Sequence, residues 1–232
     1  METRRFPEAK TQRGITGLET AIILIAFVVV ASVFAFTVLS TGIFASERSK
    51  ETVFAGIKEA QSSIEPRGSV IAYKGIQSGT TSTIYKLTFV VSNAIAGEPV
   101  DLTPDYTSDG SGTDPDVSSG AESVTIISYS DQNQFLNDLP WSVTWLGNND
   151  GDNLLEDNEK AEITVWLMHR INGTAITAAG GIDWSSTGGI TASGTTLTTN
   201  DEFTIEMKPP SGAVLNIQRT TPSQFDLVMD LN

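Results

Sequence analysis

The chain has no cysteine, a single histidine and few basic residues, and each shortage excludes a class of function. Without cysteine there are no disulfides, thiolate metal sites or cysteine nucleophiles. One histidine, His169, cannot make a two-histidine metal site. Lys and Arg number 14 against 28 Asp and Glu, which gives a net charge of −14. Because nucleic-acid binding needs an excess of cations to neutralise phosphates, we expect no nucleic-acid partner.

Familiar catalytic motifs are also missing from the 232 residues. The sequence has no phosphate-binding loop, no dinucleotide-binding glycine fingerprint, no serine-hydrolase elbow and no zinc-protease motif. Carboxylates are numerous, so the counts alone leave a paired-carboxylate hydrolase open, but no pair stands out. We therefore expect that the protein is not an enzyme.

One long apolar run dominates the N-terminal part. It extends from Ala21 to Leu39 as AIILIAFVVVASVFAFTVL, 19 residues without a charge, close to the roughly 20 residues that cross a bilayer. Residues 1–14 are polar and net basic, with Arg4, Arg5, Lys10 and Arg13. By the positive-inside rule, these basic residues stay in the cytoplasm and the acidic remainder lies outside.

The helical pattern continues beyond the apolar run in an amphipathic form. Apolar residues recur at three- and four-residue steps at Val53, Ile57, Ala60 and Ile64. Pro66 and Gly68 are expected to end the helix. A helix from Ile15 to Ile64 is about 75 Å long at 1.5 Å per residue. A globular domain of this size has no use for such a helix, whereas the core of a filament has.

After about residue 69 the pattern changes to short strands separated by Gly, Ser, Asp and Pro clusters. The predicted strands are Ser69–Tyr73, Thr83–Val91, Ser123–Tyr129, Ser142–Trp145, Ala161–His169, Glu202–Met207, Ala213–Gln218 and Phe225–Val228. We predict an α+β fold: a long N-terminal helix followed by an antiparallel, Ig-like β-sandwich. The predicted segments are a leader at 1–14, a helix at 15–65 and an outer domain at 66–232.

The junction before the apolar run carries the most specific signal. Residues 12–20 read QRGITGLET, with Arg13, Gly14 and Ile15 at the centre. This junction resembles the class III signal peptide of type IV pilin-like proteins, and most of all that of archaellins, the filament subunits of the archaeal flagellum. The resemblance implies cleavage between Gly14 and Ile15 by a prepilin-type peptidase. The helix is then retained in the mature chain.

The resemblance also assigns roles within the helix. Glu19 becomes the fifth mature residue and would pair with the new N-terminal ammonium of its own chain or of a neighbour. The alternative is an ordinary first-turn acid that the helix dipole favours. Gly17, at the third mature position, begins a series of small residues that allow helices of neighbouring copies to approach closely.

Two further sites are predicted in the outer domain. On a twelve-residue calcium loop, Asn148, Asp150, Asp152 and Glu159 take the first, third, fifth and twelfth places. Asn153 then holds the place of the usual glycine, where a positive φ is needed. The alternative is an Asx-rich turn without an ion. Asn172 opens the acceptor sequence Asn-Gly-Thr for N-glycosylation, although such matches also arise by chance.

These observations predict a structural subunit of the archaellum filament that polymerises through its N-terminal helix for swimming motility. The resemblance implies an extracellular filament and a precursor in the cytoplasmic membrane. Implied partners are identical or paralogous archaellins, a prepilin-type peptidase, and motor and platform proteins. No cofactor is expected beyond the calcium ion. Two alternatives remain open: an archaeal adhesion pilin, and an extracellular binding module or hydrolase anchored by the same helix.

Overall fold

The structure, a computed structural model, describes residues 13–77, 81–95, 97–118, 122–184 and 196–231. The chain divides into two compact units, Met1–Phe54 and Ala55–Asn232. One long helix, α1 (Arg13–Gln61), is followed by short and long antiparallel strands. The predicted α+β class is confirmed. Residues 1–12, most of the predicted leader, lie outside the described part of the chain.

The helix α1 contains 49 residues, about 74 Å at 1.5 Å per residue. Its sequence contains no proline, which leaves the helical hydrogen-bond ladder uninterrupted. The end comes earlier than the sequence predicts, because Ser62 closes the last turn by donating from its N and its Oγ to the Lys58 carbonyl oxygen. Ile64, predicted to be helical, is instead the first residue of the sheet domain.

Sixteen strands are assigned among the described residues of the outer domain. They are β1 (Ile64–Ile76), β2 (Ser82–Asn93), β3 (Val100–Asp101), β4 (Tyr106–Thr107), β5 (Thr113–Asp114), β6 (Asp116–Val117), β7 (Ile126–Asp131), β8 (Phe135–Leu136), β9 (Trp141–Trp145), β10 (Leu154–Leu155), β11 (Ala161–Trp166), β12 (His169–Ile171), β13 (Ile182–Asp183), β14 (Glu202–Lys208), β15 (Leu215–Thr220) and β16 (Val228–Leu231).

Two antiparallel sheets form the body of this domain. A five-stranded sheet has the order β16-β1-β2-β11-β9, and a four-stranded sheet has the order β15-β14-β7-β8. Side chains of both sheets join one buried cluster, in which Leu87 and Ile163 of the first sheet accompany Tyr129 and Phe203 of the second. Burial alternates along β14 because every second side chain enters this cluster. The two sheets therefore share a core, as in a sandwich.

The first strand corrects the predicted role of Pro66 and Gly68. Both lie inside β1, where Pro66 is opposite Val91 of β2 and Gly68 occupies an irregular step with φ 88°. The other edge of β1 pairs with β16 only over residues 70–73, so the missing N–H of Pro66 interrupts no bond there. Ile64 is 7% exposed, and its burial in the core outweighs the helical spacing that predicted otherwise.

Other predicted strands are shifted or interrupted, and β7 and β15 begin three and two residues later than predicted. The predicted strand Ala161–His169 is interrupted because the N–H groups of Leu167 and Met168 both bond to the Tyr85 carbonyl oxygen, at 2.8 and 3.0 Å. The last strand is β16, three residues later than Phe225–Val228, because Phe225 enters the core from the preceding loop. Lys208 ends β14 immediately before Pro209 and Pro210, as their missing N–H groups require.

Candidate assembly helix and outer-domain sites

The N-terminal part of α1 exposes an apolar surface on all sides. Between Leu18 and Phe44, sixteen large apolar side chains are each more than half exposed. They include Phe27, Phe34 and Phe36, and none of the segment is buried within its own described chain. By length and composition this helix could cross a membrane. A helix that is apolar all round requires an apolar environment, which is either a bilayer or other helices.

Three hydroxyl groups inside this apolar segment are satisfied by the helix itself. Ser32 donates to the Val29 carbonyl oxygen at 2.8 Å, and Thr37 donates to that of Phe34 at 2.8 Å. Thr41 donates to the Thr37 carbonyl oxygen, again at 2.8 Å. Because these three groups need no water or partner chain, they add little polar cost when the segment enters an apolar environment.

The predicted processing residues lie at the beginning of α1. Arg13 is the first helical residue that the structure describes, and Gly14, Ile15 and Gly17 follow within the same helix. Glu19 is the seventh helical residue and is exposed, so it is not a first-turn acid in the uncut chain. That alternative holds only for a chain that begins at Ile15. The proposed cleavage and the pairing of Glu19 stay predictions.

The structure does not gather the predicted calcium ligands. Asp150 Oδ1 accepts the Asp152 N–H at 3.2 Å, and Asp152 Oδ1 accepts the Leu154 N–H at 2.8 Å. Glu159 is 6% exposed and accepts the Glu156 N–H at 3.1 Å, whereas Asn148 lies exposed. Among the described acidic residues, Asp150, Asp152 and Glu159 do not bring carboxylate oxygens within 4.8 Å of one another.

The backbone of this loop also differs from a calcium-binding loop. Gly151 has φ 103°, while Asn153 is not among the described residues with positive φ. The arrangement is a series of Asx turns, in which a side-chain oxygen accepts a hydrogen bond from the backbone N–H two residues later. Desolvation, and then the nearby charges of Asp150 and Asp152, raise the pKa of Glu156. As arranged, these residues do not fit a calcium cage, and calcium binding stays an untested prediction.

A different carboxylate cluster was missed in the sequence. Asp109, Asp114 and Asp116 place carboxylate oxygens within 4.8 Å of one another. Asp114 is 3% exposed, and its Oδ1 accepts the Asp109 N–H at 3.1 Å. The short spacing of these acids in the sequence could have suggested a cluster. Whether their carboxylates meet, however, depends on how the chain folds from β4 through β5 to β6. Internal hydrogen bonds already use the buried carboxylate, and they explain it without an ion.

Asn172, the predicted glycan acceptor, contacts the same cluster. Its Nδ2 donates to Asp114 Oδ2 at 2.8 Å and to the Ser111 carbonyl oxygen at 2.9 Å. Attachment of a glycan replaces one N–H of this amide, so the folded domain would lose one of the two bonds. The arrangement favours a structural role for Asn172, and modification at this site stays a prediction.

Comparisons with known proteins agree with this geometry. The sequence model of the archaeal-type flagellin family matches residues 14–219. "Probable flagellin 1" of Archaeoglobus fulgidus is 37% identical over 230 residues, which cover 96% of each chain. "Probable flagellin 2" of the same organism is 35% identical over 224 residues, 93% of each chain.

A solved structure supports the fold. The archaeal flagellum of Methanospirillum hungatei strain JF1 aligns with a TM-score of 0.55 and 22% identity over 93% of this chain and 98% of that chain. At this identity the likeness concerns the fold alone.

Proposed function

Because this chain belongs to the archaeal-type flagellin family and is a structural subunit of the archaellum filament, we propose that its mature copies polymerise through α1 for swimming motility. The observation that supports this mode of assembly is the apolar surface between Leu18 and Phe44, exposed on every side of the helix. A bundle of identical helices buries such a surface, and the acidic outer domains then surround the bundle in an extracellular filament.

The apolar surface of α1 also suits a precursor that is held in the membrane before assembly. We infer that the helix first lies in the cytoplasmic membrane, with residues 1–14 inside the cell and the outer domain outside. A prepilin-type peptidase then cuts between Gly14 and Ile15. Lipid and a bundle of Leu, Val and Phe side chains solvate the helix about equally well, so extraction into the filament need cost little. Motor and platform proteins at the membrane would provide rotation, and the subunit itself would catalyse no reaction.

Glu19 gives the transfer a direction. It is the only charge between Ile15 and Ser46. An unpaired carboxylate costs about 2.5–3.5 kcal/mol at the centre of a bilayer and less near its edge, and Glu19 lies two residues before the apolar run. Pairing with an ammonium at Ile15, which exists only after cleavage, offsets that cost. We propose that Glu19 thereby favours cleaved subunits over uncleaved ones during assembly.

The test is the analysis of filaments sheared from the producing archaeon. We expect electron microscopy to show filaments, mass spectrometry to match them to this chain, and N-terminal sequencing to begin at Ile15. Replacement of Gly14 by Trp should block cleavage. Monomeric extracellular protein, an intact Met1, or normal cleavage of Gly14→Trp would contradict the proposal. Loss of swimming in a deletion strain distinguishes the archaellin from an adhesion pilin, whose loss would affect attachment.

A further inference from the structure

A short charged belt follows the apolar segment of α1. The belt consists of Glu47, Arg48, Lys50 and Glu51, and all four side chains are exposed. Arg48 Nη1 lies 2.9 Å from Glu51 Oε2, with side chains 68% and 69% exposed. An ion pair this exposed adds little to stability, because water and salt screen both charges. Stabilisation of the isolated helix is therefore a weak explanation for four adjacent charges.

The belt is balanced in charge, unlike the outer domain. Its two acids and two bases cancel, whereas residues 62–232 contain 22 acidic and seven basic residues, a net charge of −15. Outer domains of neighbouring copies therefore repel one another. A mixed belt does not, because each sign finds its opposite on an identical copy. This contrast suits a surface that faces copies of the same chain.

The order of the four charges around the helix adds a second argument. At 100° per residue they span an arc of about 160° in the order Lys50, Glu47, Glu51, Arg48. Each edge of the arc therefore presents a cation beside an anion. Contact between opposite edges of two parallel helices can place Arg48 of one copy against Glu47 of the next. The same contact can place Lys50 of the second copy against Glu51 of the first.

We propose that this belt is an interface between copies of the chain and that it fixes their axial register. The inference rests on the proposed function. The belt begins three residues after Phe44 and interrupts the exposed apolar side chains of α1, which resume at Val53 and Phe54. Copies that pack along the apolar segment therefore carry their belts into proximity. Packed helices lie about 8–10 Å apart, within reach of paired Arg, Lys and Glu side chains. Apolar contacts tolerate sliding, whereas ion pairs select one offset.

The first test compares two reversals that each change the charge by −2 in the full-length chain. Arg48→Glu alters the belt, and Lys160→Glu alters an exposed residue of the outer domain. Sheared filaments are heated in steps, and the subunit left in the supernatant after centrifugation is measured. We expect about tenfold more free subunit for Arg48→Glu than for wild type, as several lost or repulsive pairs of this size imply. Lys160→Glu should stay within about twofold of wild type by the same scale. Equal dissociation of the two variants would overturn the inference and indicate a solvated belt.

The second test asks whether opposite belts rescue one another. An acidic belt carries Arg48→Glu with Lys50→Glu, and a basic belt carries Glu47→Lys with Glu51→Lys. We expect each variant alone to yield fewer filaments than wild type and the two expressed together to restore the yield in mixed filaments. A wild-type yield from either variant alone, or no increase from the pair over the single variants, would overturn the inference. If wild type formed no filaments, the proposed function itself would fail, which separates the two outcomes.

Discussion

Substitution of Gly212 by Ala tests the close approach of Gly212 to Ser62, the residue that follows α1. Gly212 has φ 98°, and a Cβ built on it would overlap the Ser62 carbonyl oxygen and lie 2.6 Å from the Ser62 carbonyl carbon. Both neighbouring atoms are backbone, so neither can rotate away. Positive φ costs an alanine about 1 kcal/mol, and overpacking costs about 1–3 kcal/mol more.

We therefore expect Gly212→Ala to lower the stability of the outer domain by about 3 kcal/mol, or the melting temperature by about 6–12 °C for a domain of this size. The measurement is a calorimetric melt of the full-length protein in detergent. Gly147→Ala is the matched control, because Gly147 also has positive φ, 83°, but meets nothing within 4 Å. It should cost only about 1 kcal/mol. Equal melting of both variants would refute the proposed contact with Ser62.

Three further predictions concern single sites of the outer domain. If the loop binds calcium, Asp150→Ala with Asp152→Ala should lower the melting temperature more in the presence of calcium than in its absence. An equal loss with and without calcium, measured by calorimetry, supports the Asx turns alone. Burial lowers the pKa of His169, against a smaller opposing effect of nearby carboxylates. The folded protein therefore binds this proton less readily than the unfolded chain, so the free energy of unfolding is unaffected above the unfolded pKa near 6.5 and falls as the pH drops below it. In urea titrations, wild type should lose stability relative to His169→Asn between pH 7 and pH 5. Asp114→Asn should destabilise the domain by about 1–3 kcal/mol, because it replaces a buried carboxylate oxygen that accepts from Asn172, and chemical denaturation measures the loss.

Much of the helix could be predicted because its signals are local. The uncharged run from Ala21 to Leu39 and the following three- and four-residue spacing need no knowledge of the rest of the chain. The prediction was wrong at the C-terminal end of the helix, because the spacing of Ile64 fits both a helix face and a strand. Burial of Ile64 in the core of the outer domain decided between them, and such burial depends on β2, which lies many residues later.

The outer-domain sites were harder to predict for the same reason. The acids at 148–159 matched a linear spacing, yet their oxygens bond to neighbouring N–H groups instead of converging. Conversely, Asp114 meets Asn172 across 58 residues, and no spacing rule connects them. Linear patterns describe turns and periodic elements well, whereas a buried polar contact between distant segments is determined only by the packed fold.

The hydroxyl groups of Ser32, Thr37 and Thr41, each bonded to a carbonyl of its own helix, have a mechanical consequence. These three hydroxyl groups need no hydrogen bond from a neighbouring helix, so contacts between helices at these positions are mainly dispersion contacts. If copies pack as proposed, small shifts of one helix along another break no hydrogen bond of these groups, whereas pairing between the charges beyond Phe44 would resist larger shifts.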